Sequence, residues 1–513
     1  MFKKYQPHFS SEQKFIFSTV VVGFAAGLTA VAIERSFHLL AHLAGTIDTF
    51  SIKSFLFGSF YIVLAGLLLK KYPTLIGSGI PRTKMLLAVH HGVISFKEAL
   101  GKFVVTILTL ASGVPLGLEA PTISISAGVG SILGQKIFHN PKRLKDLVHI
   151  ACSAGIAAAF NTPIAAVIFT LEEMIGNFNA RSLGPVLIGS LVASVTASTF
   201  SGENSIFIVT SYKLGHPTEL LFYLGLGLAC GLGGPLFVKN IIGVKKLSKR
   251  IFKHHLITPM IMGVVLTGLF SLYHPLIPGS GVRLVNELLA GTSIETEVLI
   301  GIVLLKFLAS AFCYGLGMSG GILLPTMVIG AVFGTLWGIL AAKILGYSDI
   351  QSGAYALVGI GAFLAAVLKT PFTSIVLVFE MTRDYRIVLP LMIANLVAWL
   401  LSEKQIKGSI YEYMSKLDGL ELPTHEENEL HVIQVGMVYT KETRNHEKPF
   451  GYHQMIYPDQ TVSLAIDKLK KYKFEQSLIV VNRLNPREQL GLINLQDILD
   501  YLKKQGHNDT NEP

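Results

Sequence analysis

The sequence predicts an all-α protein that crosses a membrane many times and carries a small α/β domain at its C-terminal end. Of its 513 residues, 51% are hydrophobic and only 15% are charged, whereas soluble domains carry about 25% charged residues. Apolar runs recur as far as residue 402, and beyond it charged residues are common and no run reaches membrane length. We therefore place most of the first 402 residues in lipid and the remainder in water.

The apolar runs are interrupted more often than simple spanning helices would be. Fourteen runs lie near 15–33, 54–69, 97–112, 122–138, 147–160, 163–176, 183–200, 219–240, 256–274, 296–314, 322–345, 354–368, 372–381 and 387–402. Several are shorter than the ~20 residues of a full span, and Gly- and Pro-containing breaks separate them at 77–81, 117–121, 161–163, 320–325 and 369–371. Short, broken apolar segments are typical of transporter binding sites.

The basic residues predict how the chain is oriented. The formal net charge is +10, and Lys and Arg concentrate at segment ends, as at 70–71, 141–143 and 244–250, and in the tail. This bias indicates loops that face anionic lipid on the cytoplasmic side, not a nucleic-acid partner. Residues 1–14 are polar and no clear cleavage site follows them, so we expect a cytoplasmic N-terminus and a cytoplasmic tail.

Residue patterns that carry metal or enzyme chemistry are not evident. Cys152, Cys230 and Cys313 are odd in number and lie in apolar segments, so we predict small core side chains, with neither a disulfide nor a metal site. The membrane part contains no H-E-x-x-H, G-x-S-x-G or phosphate-loop pattern. An enzyme is therefore not predicted.

The membrane part contains an internal repeat, with offsets that rise only from 202 to 208 residues. The matched landmarks are GSGI at 77–80 with GSGV at 279–282, Lys102-Phe103 with Lys306-Phe307, Pro121 with Pro325, and Thr162-Pro163 with Thr370-Pro371. Such self-similarity indicates two related halves, about 15–200 and 219–402. The spacing alone does not say whether the halves are parallel or inverted.

Two pairs of charged residues occupy matching places in the halves. Glu172 and Glu380 each follow the Thr-Pro pair, nine residues after the Pro, and we expect them to be structural acceptors of backbone N–H bonds. Lys102 and Lys306 either raise the potential along an ion path or snorkel to the interface.

Glu119 is the only charged residue between Ser112 and Gly130. An acid at membrane depth is costly and marks a functional site by default. The Gly and Pro residues around it break the helix, and Pro121 suits the first turn of a new one. A helix N-terminus favours an anion, so we predict an anion site that holds its own carboxylate. The alternative is a buried, protonated Glu that only packs.

Five motifs together resemble the CLC family of chloride channels and chloride/proton antiporters. They are GSGIP (77–81), GLEAPT (117–122), AGIAAAFNTPIAAVIFTLEE (154–173), GGILLP (320–325) and the late Tyr411. The resemblance covers residues 15–414 and implies an inverted repeat with broken helices, a homodimer and one ion pathway per subunit. We expect the transported ions, chloride and protons, to be the ligands, with no cofactor.

The resemblance also implies roles for single residues at the chloride site. The hydroxyls of Ser78 and Tyr411 and the backbone N–H groups of Ile322 and Leu323 would bind the anion, since a pathway needs sites weak enough to leave. The supporting residues are Gly77, Gly79, Pro81, Lys102, Gly117, Pro121, Gly321 and Pro325. The alternatives are a helix cap for Ser78 and an interfacial tyrosine for Tyr411.

Two acids favour exchange over passive conduction. Glu119 matches the family's gating glutamate, and Glu173 matches its inner proton glutamate, where a channel of the family usually has a non-ionisable residue. The sequence therefore favours a chloride/proton antiporter over a voltage- or proton-gated chloride channel of the same fold. The alternative for Glu173 is an ordinary solvated acid at a helix end.

The chain departs from the family pattern near these residues. Leu118 replaces a basic residue, Ala120 replaces a Gly, and Leu323 stands where Phe is common. These changes bear on the ion affinity, the turnover and the anion preference. Fluoride-selective relatives generally lack the serine of the first motif, so Ser78 favours chloride.

The tail, 415–513, contains one segment, 455–504, that resembles a single CBS repeat with the order strand–helix–strand–strand–helix. CBS repeats normally bind adenine nucleotides as pairs, and residues 415–450 are either a degenerate partner or a linker. A dimer-stabilising cap is thus a simpler interpretation than nucleotide sensing. The short termini suggest a bacterial protein of the inner membrane.

Overall fold

A computed structural model describes residues 11–46, 51–138, 140–176, 180–202, 206–207, 209, 212, 216–252, 255–292, 294–346, 351–417, 434–440, 455–471, 477–482 and 488–508. The chain divides into two compact units, and the boundary between the membrane unit and the tail unit falls after Leu417. Residues 1–10 and most of 415–450, where an N-terminal segment and a degenerate CBS partner were expected, lie outside the described residues.

The described part of the membrane unit is built from helices. In chain order these are α1 (Ser11–Ala44), α2 (Ile52–Lys71), α3 (Ile80–Val89), α4 (Phe96–Ala111), α5 (Glu119–Ile137), α6 (Pro141–Phe160), α7 (Pro163–Phe169), α8 (Ala180–Ser201), α9 (Glu219–Phe252), α10 (Ile257–Ser271), α11 (Val282–Leu289), α12 (Thr296–Gly315), α13 (Leu323–Leu345), α14 (Ser352–Leu368), α15 (Pro371–Thr382), α16 (Val388–Gln405) and α17 (Ile410–Leu417). A π-helical turn, Thr170–Ile175, extends α7.

The helical membrane fold predicted from composition is confirmed, since each of the fourteen apolar runs falls on one of these helices. Seven helices among the described residues are long and apolar enough to cross a membrane. The protein is therefore a multi-pass membrane protein. The helices that the apolar runs did not predict are α3, α11 and α17, which have 10, 8 and 8 residues.

The breaks between helices repeat in the two halves. Asn161 ends α6 and Lys369 ends α14 in the left-handed conformation, with φ of 56° and 64°. Each is followed by Thr-Pro, and the proline starts the next helix. A left-handed C-terminal residue closes a helix, and proline fits a first turn because its missing N–H is not needed there.

Small residues let the membrane helices approach closely. A Cβ atom on Gly330 of α13 would collide with the carbonyl oxygen of Gly359 on α14, and one on Gly359 would collide with that of Gly330. Without a hydrophobic driving force between helices in lipid, such close backbone packing is a main source of association. It positions α13, whose first residue contributes to the candidate site.

The described residues of the tail unit form a three-stranded sheet and two α-helices, and within 455–508 these follow the predicted order. They are β1 (Met455–Ile456), α18 (Val462–Lys471), β2 (Leu478–Val481), β3 (Gln489–Ile493) and α19 (Leu495–Asn508). The central strand β2 pairs parallel to β1, with Met455 opposite Ile479, and antiparallel to β3, with Leu478 opposite Ile493. All four residues of β2 are buried, as its β-branched run predicted.

Candidate functional site

Two helix N-termini meet at the centre of the membrane unit. Gly117 and Gly321 exchange two backbone hydrogen bonds, with N···O distances of 2.9 and 2.7 Å. Just after this antiparallel bridge, Glu119 begins α5 and Leu323 begins α13. The free N–H groups of both helices therefore lie close to one point, a geometry that favours an anion.

Two buried lysines hold the Gly-Ser-Gly loops. The Lys102 ammonium donates to the Leu75 carbonyl at 2.9 Å and to the Gly77 carbonyl. In the second half, Lys306 donates to the carbonyls of Ile277 and Gly279, both at 2.8 Å. Lys102 and Lys306 are only 4% and 1% exposed, so neither snorkels, and both fix the loop that precedes a short helix.

Hydroxyl groups collect beside the first loop. Ser78 is buried, and its Oγ accepts a hydrogen bond from the Tyr314 hydroxyl at 3.3 Å. Tyr411 is fully buried, and its hydroxyl has no hydrogen-bond partner among the described residues. Tyr411 also lies within electrostatic range of Tyr314, Glu173 and Glu119. Two of the sequence-predicted residues, Ser78 and Tyr411, thus share one polar centre with Tyr314.

Sequence reasoning missed Tyr314. It lies in the last turn of α12, six residues before the GGILLP motif, and is 3% exposed. Its counterpart in the first half, 204 residues earlier, is Leu110. The signal that could have identified Tyr314 is a phenol at the end of an apolar run where the other half of the repeat has leucine.

Glu119 lies at the edge of a cavity. Its side chain is 4% exposed, and its Oε2 atom has no hydrogen-bond partner among the described residues. A cavity of about 400 Å³ adjoins it, and Glu34, Asn161 and Ser280 line the cavity as well. The carboxylate therefore stands between the buried helix ends and a space large enough for hydrated ions.

Glu173 lies in the π-helical turn and is also only 4% exposed. The Lys84 ammonium donates to its Oε1 atom at 2.8 Å, and the Ser409 hydroxyl donates to the same atom at 3.1 Å. The burial does not fit an ordinary solvated acid at a helix end. Lys84 and Ser409 were not predicted; a lone lysine six residues after Ser78 was the only signal for the first.

The two acids lie at different levels along α1. Leu171, two residues before Glu173, belongs to an apolar cluster with Phe15. The cavity beside Glu119 is lined by the other end of α1, including Glu34. Phe15 and Glu34 are separated by about 28 Å of helix axis. The two carboxylates therefore lie at different levels of the membrane unit, and the Tyr411 hydroxyl lies within electrostatic range of both.

The repeat-related acids accept backbone N–H bonds, as expected, and each does so at the start of the helix that carries or precedes the other. Glu380 accepts from the backbone N–H groups of Ile164 and Ala165, at 3.1 and 2.8 Å. Glu172 accepts from Thr373 N at 2.9 Å and from Phe372 N at 3.3 Å. Each helix, α7 or α15, thus ends beside the start of the other. The two helices run antiparallel, so the halves are inverted.

The family model described as "Voltage gated chloride channel" matches residues 61–403. Solved structures share the fold. A slow cyanobacterial Cl⁻/H⁺ antiporter is 23% identical, with a TM-score of 0.72, over 79% of this chain and 98% of that one. A eukaryotic CLC transporter is 18% identical, with a TM-score of 0.70, over 94% and 98%. A CLC-type fluoride/proton antiporter is 22% identical, with a TM-score of 0.64, over 79% and 98%.

Proposed function

Because the chain belongs to the voltage gated chloride channel (CLC) family, we propose that it is a chloride/proton antiporter. The observation that carries this proposal is the pair of buried acids at different levels of the membrane unit, Glu119 beside a cavity and Glu173 bonded to Lys84 and Ser409. A passive anion channel needs no second buried acid. Exchange needs one proton acceptor within reach of each side of the membrane.

In this proposal chloride occupies the point where the helix N-termini meet. The backbone N–H groups of Ile322 and Leu323 and the hydroxyls of Ser78 and Tyr411 replace part of its hydration shell. These partial charges bind an anion without trapping it, as conduction requires. The Tyr314 hydroxyl donates to Ser78, which leaves the serine proton free to point at the ion.

Glu119 competes with chloride for that site. Ionised, its carboxylate takes the place of the anion at the helix ends; protonated, it loses that attraction and turns to the adjoining cavity. One proton is thereby exchanged against anion occupancy, which is thermodynamic linkage between two ligands. Glu173 takes the proton at the other end. Gly77, Gly79, Pro81, Lys102, Gly117, Pro121, Gly321 and Pro325 shape the loops.

Two comparisons support the proposal. Two solved structures with this fold are anion/proton antiporters, one for Cl⁻ and one for fluoride. The serine at position 78 favours chloride as the anion here. A chloride channel in which Glu119 gates without proton transfer is the competing function.

Purified protein in liposomes under an imposed chloride gradient separates the two functions. An antiporter drives protons uphill against their own gradient, which a pH-sensitive dye inside the vesicles reports. Chloride flow without any proton movement would refute the antiporter. Glu173→Gln should keep chloride flow and abolish proton flow, with Glu172→Gln, its neighbour at a helix cap, as the matched control.

We also propose a homodimer in a bacterial inner membrane, with both termini cytoplasmic and the transport domain at 15–414. In this proposal the partner covers large apolar side chains on α7, α15 and α16, where Ile164, Phe372 and Leu389 are 51%, 56% and 53% exposed. The mass of the purified protein in detergent, compared with a variant carrying Phe372→Lys and Leu389→Lys, tests the dimer.

A further inference from the structure

The Glu173 carboxylate is bonded to a lysine. The Lys84 ammonium lies 2.8 Å from its Oε1 atom, and the two side chains are 13% and 4% exposed. The Ser409 hydroxyl approaches the same oxygen at 3.1 Å from the segment before α17. Lys84 comes from α3, the short helix that follows the Ser78 loop. One carboxylate thus joins two separate parts of the fold.

Among the described residues, the other charged and titratable groups that act on Glu173 are acids or a phenol. Glu172 is its neighbour in the same turn, and Glu412 and Tyr411 face it electrostatically from α17. Burial and neighbouring acids both favour the protonated form of a carboxyl group, whereas an ammonium at hydrogen-bond distance favours the ionised form. Among the charged groups of the described residues, Lys84 is therefore the one that favours the ionised form of Glu173, and the Ser409 hydroxyl supports it.

We propose that Lys84 is a positioning residue that sets the proton occupancy of Glu173 and, through it, the pH range of proton transfer on that side of the membrane. The inference rests on the proposed role of Glu173 in antiport. Removing the ammonium leaves a buried, uncompensated carboxylate, which takes up a proton and releases it only at higher pH.

The test measures proton flux in liposomes as a function of pH on the Glu173 side. Lys84→Met should move the half-maximal pH upward by about one to three units. Lys84→Arg should restore the wild-type midpoint, because the guanidinium keeps the charge. If Lys84→Met does not fold, Lys84→Gln, which keeps the length and a donor but lacks the charge, takes its place.

The matched control is Arg82→Met. Arg82 lies on the same helix, two residues away, and forms an ion pair with Glu98 at 3.0 Å. The Arg82→Met variant removes the same charge from α3 without touching Glu173. The pH at which its proton flux is half-maximal should therefore stay at the wild-type value. An equal shift in Arg82→Met and Lys84→Met would overturn the proposal, because the effect would then come from the general potential of α3.

The Glu173→Gln background separates failure of this inference from failure of the proposed function. There, adding Lys84→Met should leave the pH dependence of chloride flux unchanged, since the target carboxylate is gone. A further shift in the double variant would mean that Lys84 acts elsewhere. Proton flux that survives in Glu173→Gln alone would instead remove Glu173 from the proposed function.

Discussion

The two halves place equivalent helix starts at the Gly117–Gly321 bridge but put different side chains on them. In each half a buried lysine holds the Gly-Ser-Gly loop through equivalent carbonyls, and a helix begins just after the bridge. The first residue of that helix is Glu119 in one half and Leu323, 204 residues later, in the other. The two halves thus supply equivalent helix starts, and a carboxylate stands at only one of them; in the proposed function that carboxylate makes the anion site responsive to protons.

The largest expected effect comes from the position at which the loops differ. Glu119→Gln should reduce proton flux in liposomes to background, since an amide cannot carry the proton and binds the helix ends without a charge. Leu323→Gln, the same side chain at the matching position, should leave proton coupling intact. Loss of coupling in both variants would mean that helix-start packing, and not the Glu119 carboxylate, controls exchange.

The lysines provide the next comparison. Lys102→Met and Lys306→Met each leave buried carbonyls unpaired, at a cost of about 1–3 kcal/mol for each unsatisfied group. Lys102 also donates to Ser319 of the other half at 2.9 Å. Lys102→Met should therefore lower the melting temperature in detergent more than Lys306→Met does. A reversed order would show that the contact between the halves contributes little.

The reciprocal caps should behave alike in the two halves. Glu172→Ala and Glu380→Ala each remove the acceptor at a helix start, a loss of about 0.5–2 kcal/mol. Thermal melts should show similar decreases, and the ratio of chloride to protons should not change. A changed ratio in either variant would give that glutamate a part in transport.

The smallest effect should come from Tyr314, which has Leu110 as its counterpart. Tyr314→Phe removes one hydrogen bond to Ser78, a change of about 0.5–1.5 kcal/mol. Chloride binding measured by calorimetry should weaken roughly two- to tenfold. Tyr223→Phe is the control, since that phenol stacks on Tyr355, with ring centroids 4.2 Å apart. Equal weakening in both variants would contradict the role given to Tyr314.

The sequence predicted the parts of the fold that lipid imposes. Every long apolar run forms a helix, because an unpaired backbone cannot exist in hydrocarbon. The short helices α3, α11 and α17 were missed because they are only 8 to 10 residues long and contain charged residues, so no continuous apolar run marks them. The repeat predicted the matching of Glu172 with Glu380, but their antiparallel contact required the structure.

The sequence predicted some residues of the candidate site and missed others, because motifs report only residues that are close together in the chain. Motifs identified Glu119, Ser78 and Glu173, since each lies beside Gly or Pro or follows a patterned segment. Partners distant in the chain had no such signal: Lys84 is 89 residues from Glu173, and Ser409 is 236 residues away. Which hydroxyl or ammonium reaches a buried carboxylate depends on how helices pack, and a single sequence does not encode that as a local pattern.

The reciprocal caps also bear on how such a protein can be divided. Glu172 accepts from backbone N–H groups at the start of α15, and Glu380 does the same for α7. Each half by itself therefore has a helix start that lacks its acceptor and a glutamate that lacks its donors. A gene fragment encoding one half would produce a chain in which both remain unsatisfied. Two copies of that fragment, inserted in opposite orientations, would supply them to each other. Expression of the chain as two fragments, divided between α8 and α9, should restore both caps when the two fragments are made together.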